Sequence, residues 1–299
     1  MNTLKEPLTN KGRNVRSILE VVDIYTGERT QLAYYDYLIE APNWTSDGNR
    51  LIYNSLGRLY SFDILESEST LIDSGYIDHC NNDHVLSPDQ TQIAVSHHTQ
   101  EDGQSRIYIV PLEEGHPVLV TPMAPSYLHG WSPDGSELAY CAERNGQYDI
   151  YTIPAAGGVE KQLTDSPGLN DGPEYSPDGK HIWFNSVRSG LMQVWRMNVD
   201  GSEQTQMTFD ESNNWFPHVS PDGELVAYIA YKKGDVEPGD HPPNKQVEIR
   251  LMPSGGGEAR TLVQLFGGQG TINVNSWSPD SSKLAFVSYS LITPDDAGK

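Results

Sequence analysis

The chain has 299 residues, with 41 Asp and Glu against 20 Lys and Arg, for a formal net charge of -21. So acidic a protein is a poor partner for nucleic acid or for an anionic membrane surface. Its two cysteines, Cys80 and Cys141, have neither the number nor the spacing of a disulfide framework or a CxxC metal site. The sequence shows no signal peptide and no apolar run long enough to span a membrane. We therefore expect no membrane insertion and a cytoplasmic location, or a periplasmic one if an export signal has been removed.

The first sixteen residues are polar and carry four basic side chains. They predict a flexible tail over residues 1–16. Apolar and β-branched residues then alternate through 17–25, and a Gly turn at Gly27 leads into Arg29–Leu32. These features predict two strands within residues 17–33.

A turn of the Ser-Pro-Asp-Gly type recurs six times along the rest of the chain. Pro fixes its own backbone angle, Asp bonds to the local backbone, and Gly accepts a positive φ. The Ser or Thr positions are 42, 45, 44, 44 and 58 residues apart, a period typical of propeller blades. The turns occupy residues 44–48, 86–90, 131–135, 175–179, 219–223 and 277–281.

Each repeat contains four short strand patterns, as the third repeat illustrates. Leu128–Trp131 precedes the turn, an apolar run at 137–141 follows it, and an Asn-Gly hairpin leads into 148–153 and then 160–164. The pattern predicts an all-β, six-bladed β-propeller with four-stranded antiparallel blades. One repeat architecture over residues 17–299 predicts a single domain.

The sixth repeat ends before its blade is complete, because only ten residues follow Tyr289. The missing strands are those at the amino terminus. We expect residues 17–33 to pair with residues 277–290 and to close the ring, which removes two open sheet edges.

The string from Trp131 to Tyr140, followed by Asp149-Ile150-Tyr151 and Gln162-Leu163-Thr164, resembles the β-propeller repeat of TolB and its relatives. The resemblance covers nearly the whole chain and implies six blades whose first strands surround a central channel. TolB carries an amino-terminal α/β domain ahead of its propeller, whereas here the propeller pattern begins by residue 17. Related repeats occur in prolyl oligopeptidases and in oligogalacturonate lyase, so the repeat alone does not fix the function.

Residues that differ between repeats are the candidates for a binding site. Five positions before each turn Ser or Thr, the first strands should carry side chains around one end of the channel. Three positions before the turn Ser, the second and third repeats each carry a histidine. The fifth repeat carries a histidine two positions before its turn Ser. The predicted ligand-binding residues are Glu40, Asn82, His84, Tyr127, His129, Asp171, Trp215, His218 and Asn273.

The long step of 58 residues results from an insertion between Tyr231 and Val247. Hairpin connections of this length often cover a site. The predicted lid residues are Asp240, His241, Asn244 and Lys245.

Two functions are compatible with this pattern. The first is a monomeric binding scaffold, with no catalytic residue, no metal and no cofactor, that holds a protein segment, a peptide or a small polar ligand at the channel. The second is a lyase or hydrolase that acts on acidic sugars with a divalent metal or a base supplied by His84, His129 or His218. The net charge of -21 disfavours polyanionic substrates and so favours the scaffold.

Overall fold

The computed structural model describes residues 9–10, 13–113 and 115–292, and they form 24 strands. The amino-terminal segment contributes three strands: β1 (Thr9–Asn10), β2 (Arg13–Asp23) and β3 (Arg29–Tyr35). Blades 1 to 3 follow. They comprise β4 (Glu40–Trp44), β5 (Arg50–Ser55), β6 (Arg58–Asp63), β7 (Glu68–Leu71); β8 (Cys80–Leu86), β9 (Gln92–His98), β10 (Ser105–Pro111), β11 (Val118–Leu119); and β12 (Ser126–Trp131), β13 (Glu137–Arg144), β14 (Gln147–Pro154), β15 (Lys161–Gln162).

Blades 4 and 5 repeat this meander, and one more strand completes the chain. They comprise β16 (Asn170–Tyr175), β17 (His181–Ser186), β18 (Gln193–Asn198), β19 (Thr205–Gln206); and β20 (Asn213–Val219), β21 (Leu225–Tyr231), β22 (Lys245–Pro253), β23 (Arg260–Gly267). The last strand is β24 (Lys283–Leu291). The prediction of a six-bladed propeller with four-stranded antiparallel blades is confirmed.

The sixth blade joins the two ends of the chain. β24 pairs with β2 from Val15–Leu291 to Asp23–Lys283, β3 pairs with the other edge of β2, and Trp277 forms a bridge to Leu284 on the inner side. The predicted closure by amino-terminal strands is therefore confirmed. β2 begins four residues before the predicted boundary at residue 17, and residues 1–8 and 11–12 of the predicted tail lie outside the described residues.

The recurring turn has the same geometry in all six blades. Its Ser or Thr hydroxyl donates to the Asp carboxylate at 2.5–2.7 Å. The fifth turn residue has a φ between 61° and 77° in each case, including Gln90 and Ser281, which replace glycine. The turn is a structural element, and it lies at the opposite end of each inner strand from the candidate site.

Large apolar side chains fill the spaces between neighbouring blades. Trp131 donates its indole N–H to the carbonyl of Val85 in the preceding blade, and Trp277 donates to the carbonyl of His218 in the same way. Such contacts hold adjacent sheets in a fixed relation. Within the described residues there is no helix that is long and apolar enough to cross a membrane.

Candidate functional site

The inner strands of the blades begin at one end of the central channel, which we call the channel mouth. A cavity of about 300 Å³ opens there. Side chains from blades 2 to 5, from the blade 5 insertion and from the segment before Trp277 converge on it. The cavity is lined by Asn81, Asn82, Asp83, Tyr127, His129, Cys141, Tyr148, Leu169, Asp171, Phe216, His241, Gln269 and Asn273.

A β-bulge near the start of the inner strand determines which side chains face the channel. In blade 5 the register shifts between Trp215 and His218, and Phe216 has a φ of 55°. Strand residues normally alternate between faces, but a bulge breaks that alternation. Trp215 therefore turns into the interior, fully buried, and Phe216 lines the cavity in its place. In blade 2 the same kind of shift leaves both Asn82 and Asp83 on the cavity wall.

His129 lies at the base of the cavity between two blades. Its Nε2 is 3.2 Å from Oδ1 of Asp171, and its ring stacks on Phe216 with the centroids 5.9 Å apart. Burial favours the neutral form of His129, but the hydrogen bond and charge of Asp171 outweigh it and the pKa of His129 is raised. Burial likewise opposes ionisation of Asp171, yet His129 holds the pKa of Asp171 below its ordinary value. The two side chains thus form a mutually stabilised ion pair.

Asp83 is a buried carboxylate of a different kind. Its side chain is 4% exposed and accepts a hydrogen bond of 2.6 Å from the amide of Asn81. Burial raises the pKa of Asp83 to about 6. The charge of His129 and the hydrogen bond from Asn81 lower this pKa, but they offset only part of the effect of burial. Glu40 lies nearby, and burial together with the charge of Asp83 raises its pKa to about 7. No Lys or Arg occurs among the lining residues that the structure describes.

A second buried pair of polar side chains, His218 and Glu174, lies behind the cavity lining. His218 donates Nε2–H to the carbonyl of Ile272, and its Nδ1 lies 2.6 Å from Oε2 of Glu174. Oε1 of Glu174 accepts from the backbone N–H of Val219 and from the amide of Asn275. Every polar group of this pair has a partner, so the pair stabilises the contacts between blades 4, 5 and 6.

The blade 5 insertion reaches over the channel mouth through His241. Its ring lies 4.3 Å from the Trp215 ring and 5.2 Å from the Phe216 ring, measured between centroids. The carbonyl of Pro242 accepts a hydrogen bond from the Tyr231 hydroxyl, which anchors the loop. The Nδ1 atom of His241 is buried without a partner. Because burial lowers the pKa of His241, the ring is neutral near pH 7.

The structure brings together some of the residues predicted from sequence and separates others. Asn82, Tyr127, His129, Asp171, Asn273 and His241 line the cavity. Glu40 lies just outside the lining, while His84, Trp215 and His218 are buried behind it. The other predicted lid residues do not line the cavity. Lys245, the first residue of β22, donates to the backbone carbonyl of Asp235, and Oδ1 of Asn244 is buried without a partner. Asp240 lies beside His241 in a separate pocket formed by the insertion and Gln269.

His84 illustrates why a histidine at this level of the repeat need not reach the channel. It is fully buried between blades 1 and 2, its Nε2 lies 3.5 Å from the carbonyl of Ile52, and its Nδ1 has no partner. Burial lowers the pKa of His84 to about 4, so the ring is neutral. In the part of the chain that the structure describes, no three His, Cys, Asp or Glu side chains are grouped so as to hold a metal ion.

Fold and cavity together define a six-bladed β-propeller with a polar cavity at one end of its channel. The model of the TolB β-propeller domain family matches residues 85–252. The uncharacterized protein Atu1656 of Agrobacterium fabrum is 44% identical over 282 residues, covering 94% of this chain and 95% of that protein. The chain belongs to the TolB β-propeller domain family.

Solved structures agree with this assignment. The structure of a TolB candidate from Agrobacterium tumefaciens superposes with a TM-score of 0.89 at 44% identity, covering 93% of this chain and 99% of the other. TolB from Acinetobacter baumannii superposes with a TM-score of 0.60 at 18% identity, covering 96% of this chain and 66% of that one. The similarity to the Acinetobacter baumannii structure shows a shared fold and nothing more.

Proposed function

We propose that this protein is a binding scaffold that holds a small polar ligand or a segment of another protein at the channel mouth. One observation carries the proposal. Five of the nine predicted ligand-binding residues line one cavity of about 300 Å³, while the repeated residues build the frame; the five are Asn82, Tyr127, His129, Asp171 and Asn273. A concave site with an apolar wall and a few convergent polar groups is the usual form of a ligand pocket.

The surroundings of the cavity favour binding without large rearrangement. The inner strands that supply its walls are held by sheet hydrogen bonds on one side and by interblade contacts on the other. Rigid elements position side chains more accurately than loops do. His241 comes from the long connection 232–244, and Gln269 and Asn273 come from the connection 268–282, so these are the side chains that we expect to move when a ligand enters.

The test is a thermal-shift and calorimetric screen with chemically defined cationic, anionic and neutral small molecules and short peptides. We expect at least one class to bind saturably and to lose that binding in Tyr127→Ala, which removes part of the cavity wall. Tyr25→Ala is the matched control, since Tyr25 is 76% exposed on the β2–β3 turn. Absence of saturable binding in every class, or equal binding by both variants, contradicts the proposal.

The cytoplasmic location, the monomeric state and the alternative of a metal-dependent lyase or hydrolase stay predictions from sequence. The scaffold is preferred because the three histidines of the enzymatic alternative lie in three different settings. His129 pairs with Asp171, His218 pairs with Glu174, and His84 is buried between blades.

A further inference from the structure

The charges that line the cavity are not balanced. Asp83 and Asp171 supply carboxylates, and no lining residue that the structure describes is a Lys or an Arg. His129 lies 3.2 Å from Asp171 and compensates that carboxylate. Asp83 receives a neutral amide from Asn81 instead. A buried carboxylate that makes no direct ion pair is costly, and the charge of His129 repays only part of the hydration that Asp83 loses.

A second, independent feature is an unpaired ring nitrogen on the opposite side of the cavity. His241 lines the cavity and packs on the rings of Trp215 and Phe216. Its buried Nδ1 has no hydrogen-bond partner, and one nitrogen of a neutral imidazole carries a free lone pair. With the lone pair on Nδ1, the cavity offers acceptors to a ligand from two directions, the Asp83 carboxylate and this ring.

Aromatic side chains complete the wall. Tyr127, Tyr148 and Phe216 line the cavity beside the carboxylates. Rings in this position pack against an alkyl chain and also attract a cation over their faces. The wall therefore suits a ligand with an alkyl arm that ends in a positive charge.

We propose that the channel mouth binds a primary ammonium group, with Asp83 as its counter-ion and an alkyl arm against Tyr127 and Phe216. The inference rests on the proposed function, since it names the ligand chemistry of the same cavity. An ammonium is a compact charge with three donors that point in separate directions, which matches acceptors on different blades. A guanidinium, in contrast, prefers one carboxylate that it grips through two parallel hydrogen bonds.

Two sources supply this chemistry: a free alkyl amine, and a lysine side chain of another protein. The probes are 1,5-diaminopentane for the first and the blocked tripeptide acetyl-Gly-Lys-Gly-amide for the second. Their neutral counterparts are 1-pentanol and the same tripeptide with norleucine in place of lysine. Tighter binding of the diamine indicates a small-molecule ligand, and tighter binding of the lysine peptide indicates a protein segment.

Isothermal titration calorimetry at pH 8 compares the wild type with Asp83→Asn. We expect each ammonium probe to bind roughly tenfold or more tightly than its neutral counterpart, and Asp83→Asn to lose about that factor, as for one charge-assisted hydrogen bond. Glu258→Gln is the control, because Glu258 is exposed on the loop between β22 and β23 and its loss changes the net charge equally. The Kd of Glu258→Gln for each ammonium probe should lie within about twofold of the wild-type Kd, since distant exposed charges are screened.

Affinity for the ammonium probes should also rise with pH. Asp83 and Glu40 ionise near pH 6 and 7, and His129 loses a proton as pH rises, so all three changes make the cavity more negative. Asp171 stays ionised across this range, and Tyr127, Tyr148 and Cys141 stay neutral. Burial lowers the pKa of His241, so any proton that this ring carries at low pH is also lost as pH rises, in the same direction as the other changes. We expect Kd to fall by about tenfold or more between pH 5 and pH 8, as linkage to one or more protons requires.

The outcomes separate the inference from the proposed function. Equal binding of norleucine and lysine peptides, or full binding by Asp83→Asn, overturns the ammonium assignment. Binding of anionic or neutral probes at the mouth without binding of amines also overturns it, while the proposed function stands. If no probe of any charge binds, both fail.

Discussion

The burial of the Asp83 carboxyl group leads to a prediction about the free energy of unfolding. The pKa of Asp83 is raised from its ordinary value of 3.8 to about 6, mainly because the carboxyl is buried. A change of one in pKa corresponds to about 1.4 kcal/mol, so ionising Asp83 costs about 3 kcal/mol more in the folded protein than in the unfolded chain. The folded state therefore holds this proton more tightly, and the cost is fully present above pH 6.

Asp83→Asn removes the charge and keeps an oxygen that accepts the hydrogen bond from Asn81. We expect the variant to be more stable than the wild type at pH 8 by up to about 3 kcal/mol, or about 5 °C in Tm for a chain of this size. The difference should shrink as pH falls through 6 and vanish below about 4, where the wild-type carboxyl is protonated in both states. Urea unfolding followed by tryptophan fluorescence at pH 8, 6 and 4 measures it.

Glu258→Gln serves as the control and should change the free energy of unfolding by less than about 0.5 kcal/mol, as exposed substitutions usually do. The reasoning is refuted if Asp83→Asn is less stable than the wild type at pH 8, or if its effect does not depend on pH. Either result shows that the carboxylate is compensated in the folded protein. A stabilising substitution that abolishes ligand binding is the expected mark of a functional site.

Three further predictions concern the frame of the site. Glu174→Ala should lower the free energy of unfolding by about 3–5 kcal/mol in urea titrations, because it leaves the buried His218 without its partner. A loss below about 1 kcal/mol contradicts a stabilising role for this pair. Gly172→Ala should lower the free energy of unfolding by at least about 1–2 kcal/mol in the same assay, since the φ of Gly172 is 61° and an added Cβ would lie 2.5 Å from Oδ1 of Asn185. A variant as stable as the wild type counts against the left-handed backbone at this position. Cys80 should react with a thiol reagent only after unfolding, because burial raises its pKa to about 12; rapid labelling of the native protein contradicts its burial.

The fold was predictable because its signals are local and repeated. Each turn carries its own geometry in the Ser, Asp and Gly positions, and each strand pattern is short. Gln90 and Ser281 adopt the same left-handed conformation as the glycines that they replace, so the backbone of the repeat tolerates variation at that position. Ring closure followed from counting strands, since a blade without its outer strands exposes sheet edges.

The site was predictable only in part, because a bulge does not show in the spacing of the repeat. Five residues before the turn Ser, blades 3 and 4 carry Tyr127 and Asp171, which line the cavity. The equivalent residue in blade 5 is Trp215, which is buried behind the lining. Phe216 and Asp83, one position later, reach the cavity because the strand register shifts at that point. The single local signal was Gly172, a glycine at the equivalent position with a positive φ.

Other lining residues depend on tertiary contacts that no local pattern encodes. Gln269 comes from the connection between β23 and β24, Tyr148 lies at the start of β14, and Leu169 precedes the first strand of its blade. The insertion was recognisable by its length, yet only packing on Trp215 and Phe216 selects His241 from its residues.

A crystal structure of the protein with acetyl-Gly-Lys-Gly-amide at pH 8 tests the central claim most directly. We expect the lysine nitrogen at hydrogen-bonding distance from the Asp83 carboxylate, about 2.7–3.2 Å, with the lysine alkyl chain against Tyr127 and Phe216. A peptide ordered elsewhere on the propeller, with the cavity unchanged, contradicts it.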